Sequence, residues 1–212
     1  MSIFDPEGPL MGTLAIIADL AILNLITLLC CVPVITAGAA MTAMHYVLLK
    51  IVRQEEGYIT ADFLRSFRQN FRQATAVWSL FLLFAALLVL DFFLTGGSDG
   101  TGRSFLIFVR YMLAGAGIFA ALVFLYVFPL LARFENTVAG TIRNAARLAI
   151  SSPPRTLVMA LVTLSFPAAA RIIPAFLPVE MLFGLTGPGF LCALMYSPVF
   201  LKIEEKIKSQ SG

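Results

Sequence analysis

The chain has 212 residues, 59% of them hydrophobic and only 13% charged, with a mean hydropathy of +0.91. Soluble domains are about half apolar and about one quarter charged, so this deficit excludes an ordinary soluble fold. The formal net charge of +3 says less than where the charges fall.

The N-terminal lead-in, residues 4–10, carries Asp5 and Glu7 and no Lys or Arg. A cleavable signal has a basic start, so the first apolar helix is expected to be retained. That helix is predicted over residues 10–31 and carries Asp19, Asn24 and Thr27. Pro33 and Gly38 punctuate a tight reversal. A second span over 36–52 opens with Ala37, Gly38, Ala39 and Ala40, small residues that let membrane helices approach closely.

Residues 60–73, TADFLRSFRQNFRQ, are the most water-adapted long segment. Phe63, Phe67 and Phe71 recur at every fourth position and share one helical face, flanked by Arg65, Arg68 and Arg72. This pattern predicts an amphipathic helix lying in the membrane interface, aromatic side down and arginines towards water or lipid phosphate.

Spans follow at 74–95 and 105–131, joined by the glycine-rich loop 96–102. A second amphipathic segment falls at 137–151, before spans at 156–175, with a kink at Pro167, and 179–203. The last span is interrupted by the run GLTGPG, residues 184–189, and the charged tail beyond it is expected to fray.

The reading is therefore one all-α integral membrane domain over residues 1–212. It is a polytopic bundle of about six transmembrane helices with two cytoplasmic amphipathic helices. Most Lys and Arg residues fall on one side, which puts both termini in the cytoplasm of a multi-pass cell-membrane protein. A faint internal repeat is also visible: Arg53 and Glu55 match Arg133 and Glu135, and Arg65 matches Arg143 after a two-residue gap. Because the matched helices run the same way, the repeat would be parallel, about an axis along the membrane normal.

The stretch FDPEGPLMGTLAIIADLAILNLITLLCCVPVITAGAAMTAMHYVLLKIVRQEEGY, followed by ADFLRSFRQNFRQATAVW, resembles the YesL-like family of bacterial multi-span membrane proteins of unknown function. The GPL, the D-x-x-x-x-N of the first helix and the PV-x-T-x-G-A turn carry the resemblance together. Members are often encoded beside carbohydrate-uptake transporters and glycan-degrading enzymes, which implies a role near sugar import and brings no established activity.

Asp19, about 13 Å into the first helix at 1.5 Å per residue, is an ionisable group where such groups are costly. Asn24 and His45, with Thr42 and Tyr46, are expected to face it as one intramembrane polar cluster, either helix-to-helix glue or a proton-linked site. Asp91 and Arg110 stand at matching depths, which suggests an ion pair. Arg65, Arg68, Arg72, Arg143 and Arg147 are candidate contacts for a partner or for lipid headgroups. Gly140, Ile150 and Pro153 match the spacing of the loop by which permease subunits of ABC importers meet their ATPase, although Arg147 and Ser152 depart from its usual residues.

No catalytic motif, nucleotide-binding loop or metal spacing occurs. Cys30, Cys31 and Cys192 are too few and wrongly spaced for a disulfide framework or zinc site, and His45 is the single histidine. The expectation is a non-enzymatic protein with no cofactor and no metal, an accessory or assembly component associated with carbohydrate uptake. The alternative is a small solute transporter or channel subunit. Expected partners are the lipid bilayer, subunits of an ABC sugar importer and a second copy of the chain; no nucleic acid is expected. Six spans with both termini inside require that reporters fused at Ser98 and Ser209 read opposite sides of the membrane. Reporters on the same side would overturn that topology.

Overall fold

The computed structural model describes residues 9–95 and 103–211. The glycine-rich loop and most of the acidic lead-in lie outside the described residues. Within them are eight α-helices and no strand: α1 (Pro9–Cys31), α2 (Ala37–Val52), α3 (Ile59–Thr95), α4 (Arg103–Arg133), α5 (Val138–Ser151), α6 (Pro153–Ile172), α7 (Leu177–Phe183) and α8 (Thr186–Ser211). Five helices are long and apolar enough to cross a membrane, and α7 with α8, bent by 58° at a short break, supply a sixth crossing if they act as one span. The all-α membrane bundle read from the sequence is the observed class.

The largest departure concerns α3. The interface helix and the span after it, expected as two elements, are one helix of 37 residues. No Gly or Pro occurs between Ile59 and Thr95, so nothing in the chain breaks the backbone hydrogen-bond ladder where the side chains change from polar to apolar. At 1.5 Å per residue α3 is about 55 Å long, well beyond the roughly 30 Å of a bilayer's hydrocarbon core.

Each half of α3 has its own partner. Antiparallel α2 packs along the first half, with Lys50 meeting Asp62 at one end and Gly38 meeting Ala74 and Trp78 at the other. Phe63, Ala74 and Val77 are fully buried on that side, and Ser66 nearly so. The phenylalanine stripe thus faces protein rather than lipid at its start: Phe63 is fully buried, Phe67 half-buried, and only Phe71 is exposed, at 38%. A stripe of aromatic residues marks the side to be buried without naming what buries it; here α2 does. The second half of α3 packs on α4 through rings, with Phe81 and Phe124 5.2 Å apart and Trp78 5.8 Å from Phe124.

α2 is the central helix. It touches α1, α3, α4 and α8, and 56% of its apolar window is buried inside the protein, against 6–33% for the other four single-helix candidates. The small residues at its start make this possible: a Cβ built on Gly38 would stand 2.5 Å from the Trp78 Cβ and 2.6 Å from the Ala74 carbonyl oxygen. A short 3-10 turn, Val34–Thr36, links α1 to α2, and Trp78 fixes it by donating from Nε1 to the Val34 carbonyl at 2.6 Å.

The later elements match in part. Thr137 caps α5 by accepting from the Gly140 N–H, and Pro153 opens α6 in the first turn, where its missing N–H costs nothing. The last span does break within the glycine-rich run, between Phe183 and Thr186, and the tail expected to fray continues as helix to Ser211.

Gly38→Ala should therefore destabilise by about 1–3 kcal/mol through overpacking, despite alanine's better helix propensity. Gly115→Ala, where an added Cβ meets nothing within 4 Å, should be neutral or stabilising by up to about 1 kcal/mol. Thermal unfolding of the purified protein distinguishes the two, and equal effects would contradict the α2–α3 packing.

Candidate functional site

The most organised polar site begins at the end of α2. Arg53 closes the helix, and Gln54 follows with φ of 54°, a left-handed conformation. The Glu55 N–H returns to the Lys50 carbonyl at 3.0 Å and the Gln54 N–H to Ile51 at 3.1 Å. This Schellman-type ending turns the chain sharply and leaves the Arg53 side chain only 8% exposed.

Arg53 reaches Glu204 of α8 with both terminal nitrogens, at 3.3 and 3.0 Å. Arg133, at the end of α4, grips the same carboxylate at 2.8 and 3.1 Å. Arg53 Nε also lies 3.4 Å from the Ser197 hydroxyl. Two bidentate arginines on one carboxylate saturate its lone pairs. Glu204 stands just beyond the apolar stretch of α8, and the Arg133 hydrogen bonds, aided less strongly by Arg53 and opposed by partial burial, hold its carboxyl down to about 2. Arg53 and Arg133 are the same two arginines that the internal repeat places in register. The site joins the ends of α2, α4 and α8.

The expected cluster of Asp19, Asn24 and His45 is not one site. Asn24 is fully buried and serves the break between α7 and α8. Its Oδ1 accepts from the Leu185 N–H at 3.0 Å and the Thr186 N–H at 3.2 Å, while its Nδ2 donates to the Met181 carbonyl at 2.8 Å. The Thr186 hydroxyl in turn donates to the Leu20 carbonyl at 3.0 Å. His45 lies elsewhere, between α2 and α8, its Nδ1 3.0 Å from the Tyr196 hydroxyl in a buried pair. Asp19 lines a third place, a recess of about 270 Å³ shared with Lys50, Gln54, Glu55 and Asp62. The 3.6-residue turn explains the separation: Asn24 is five positions beyond Asp19, about 140° round the helix, so the two side chains leave on different faces.

Other candidates resolve as follows. Arg110 stacks its guanidinium over the Phe92 ring, 4.8 Å from the centroid, a cation–π contact next to Asp91 in sequence. Arg65, Arg68, Arg72, Arg143 and Arg147 are all exposed. Ile150 is 64% exposed at the end of α5. Among the described residues no group of His, Cys, Asp and Glu is arranged to hold a metal ion.

Sequence reasoning missed Glu204, Tyr196 and Thr186. Glu204 was placed in a fraying tail. The repeat aligned two arginines at equivalent helix ends, each with its own glutamate two positions on, and so did not point to Glu204.

Glu204→Gln leaves Arg133 without its paired carboxylate and the almost buried Arg53 with only Glu55, at 4.0 Å. Breaking a buried pair costs about 3–5 kcal/mol, and the partial exposure of Glu204 reduces this to roughly 1–3 kcal/mol. Because the folded carboxyl titrates below its unfolded value, the stabilisation is complete above about pH 4.5 and lost as pH falls towards about 2. The stability difference between wild type and Glu204→Gln should be constant from pH 5 to 8 and shrink on acidification below that range. Denaturation at several pH values measures it, and a difference that grows on acidification would contradict the clamp.

A family model described as a protein of unknown function, DUF624, matches residues 20–92. The match covers the second half of α1, all of α2 and nearly all of α3. It holds Asn24, His45, the Gly38–Trp78 contact and the first three exposed arginines, and stops short of Arg133 and Glu204. No curated protein and no solved structure matches the chain. Over about a third of its length, this chain is similar to a family of unknown function.

Proposed function

We propose that the protein is a non-enzymatic accessory or assembly component of a membrane system, associated with carbohydrate uptake. The observation that carries the first half of this reading is Asn24 at the α7–α8 break. A transporter that uses a broken helix presents the freed backbone groups to its solute. Here the Leu185 and Thr186 N–H groups are already taken by Asn24 Oδ1, so the break is closed from within. The other buried polar side chains behave alike. Thr27, Thr42 and Thr156 bond to backbone carbonyls, and His45 to Tyr196. Among the described residues the Thr75 hydroxyl is the exception. Polar groups spent on bonds inside the protein, within helices at Thr27 and Thr42 and between them at Asn24, His45 and Thr156, favour a scaffold over a solute path.

The link to carbohydrate uptake rests on the YesL-like resemblance and on the expected ABC importer subunits as partners. Both termini are placed in the cytoplasm on the positive-inside pattern. The competing reading, a small transporter in its own right, draws on the break itself and on Asp19 in its recess.

Intact complexes extracted in mild detergent decide between the two. Recovery of permease or ATPase subunits of a sugar importer with the tagged protein is the expected outcome. Solute flux conferred by the protein alone in liposomes would overturn it. Asp19→Asn should fold and recover the same partners; a folded Asp19→Asn protein that has lost a liposome flux would give the transporter reading its titrating group.

A further inference from the structure

Two sets of cations on α2 to α5 differ in their surroundings. Lys50, Arg53 and Arg133 are spent inside the fold on Asp62 and Glu204. Arg65, Arg68 and Arg72 on α3, and Arg143 and Arg147 on α5, are exposed, and no carboxylate lies within ion-pair distance of any of them among the described residues. No Asp or Glu occurs from Phe63 to Leu90, nor from Asn136 to Val179; of the carboxylates at the edges of these stretches, Asp62 is held by Lys50, and Glu135 lines a recess with Arg147 beyond ion-pair distance.

The two helices that carry these arginines are joined. The Gln73 side chain, next to Arg72, donates to the carbonyl of Asn136, just before α5, and α3 touches α5. On α5, Arg143, Arg147 and Ile150 share the outer face, while Thr141, Ala145 and Ala149 turn inwards and are buried. On α3, Leu64 and Phe71 are exposed at 41% and 38% beside the arginines.

We propose that this surface, Arg65, Arg68, Arg72, Arg143 and Arg147, binds the phosphate groups of anionic phospholipids. Arginine forks pair with phosphate oxygens through two parallel hydrogen bonds. The choice of lipid over an acidic protein rests on two features. Leu64, Phe71 and Ile150 stand among the arginines, which suits the boundary between headgroups and acyl chains. The same helix also runs on into exposed Leu80, Leu83 and Leu87, the first of them about 12 Å beyond Arg72 at 1.5 Å per residue. A headgroup layer lies next to hydrocarbon, and α3 passes from one chemistry to the other over that distance.

The test is thermal unfolding of the detergent-purified full-length protein, followed by the fluorescence of Trp78, its single tryptophan. Phosphatidylglycerol should raise Tm by about 5 °C or more, with phosphatidylcholine and inorganic phosphate giving no comparable rise. Changing all five arginines to Gln should abolish the selective rise, and changing all five to Lys should keep much of it. If the five-Gln protein does not fold, the triple variant on α3 and the double variant on α5 are read separately, each expected to lose part of the rise. The proposal is overturned if phosphatidylcholine or free phosphate matches phosphatidylglycerol, or if the Gln variants keep the full rise. Recovery of an acidic protein that the Gln variants lose, with no phosphatidylglycerol selectivity, would also overturn it.

Discussion

One carboxylate sets the arrangement of three helices. Glu204 accepts from Arg53 at the end of α2 and from Arg133 at the end of α4, so neither helix can slide along α8 without breaking a bidentate contact. At the other end of α8, about 27 Å away at 1.5 Å per residue, Thr186 and Leu185 are tied to α1 through Asn24 and Leu20. Between the two ends Tyr196 meets His45 of α2. α8 is thus pinned at three heights, and the helices it touches inherit its register. Lipid gives no hydrophobic reason for one apolar helix to prefer another. Polar contacts of this kind, with close packing, supply the specificity that burial supplies in water.

Close packing is the second constraint, and α3 organises it. Because no residue interrupts the helix, its polar and apolar halves keep one axis, and α2 and α4 must take successive stretches of it. Gly38 allows α2 to reach the backbone of Ala74, and the aromatic rings of Trp78, Phe81 and Phe124 fill the wider gap to α4. Trp78 serves both: its Cβ meets α2, its indole N–H holds the turn before α2, and its ring packs on α4. The family match ends at residue 92, within this helix.

Much of this architecture was legible because membrane helices announce themselves by length. The spans at 10–31, 36–52 and 105–131 lie within two residues of α1, α2 and α4 at each end, and the close approach at Gly38 followed from the small-residue run. The missing boundary in α3 was a matter of composition: a change from polar to apolar side chains looks like a boundary, yet the backbone registers only Gly, Pro and caps. The candidate site was harder. Asn24 was singled out as a polar group of the first span, but its partners lie more than 150 residues away at Met181, Leu185 and Thr186. Periodicity reports which face of a helix is polar and carries no information about which distant segment will arrive there.

The internal repeat connects the clamp to the exposed arginines. Arg53 and Arg133 stand at equivalent helix ends, and each is followed by a short loop and an arginine-bearing amphipathic helix, the first half of α3 and α5. The equivalence stops where the second copy breaks: α5 ends at Ser151 and Pro153 starts α6, whereas α3 runs through. Pro153 and Pro154 stand in the first turn of α6, where their missing N–H groups cost nothing, and the first copy has no proline at that place. The arginines at the two helix ends share Glu204. The arginines on the following helices have no such anion among the described residues. The same kind of residue, placed one element later in each copy, therefore changes from an internal fastening to an outward-facing charge.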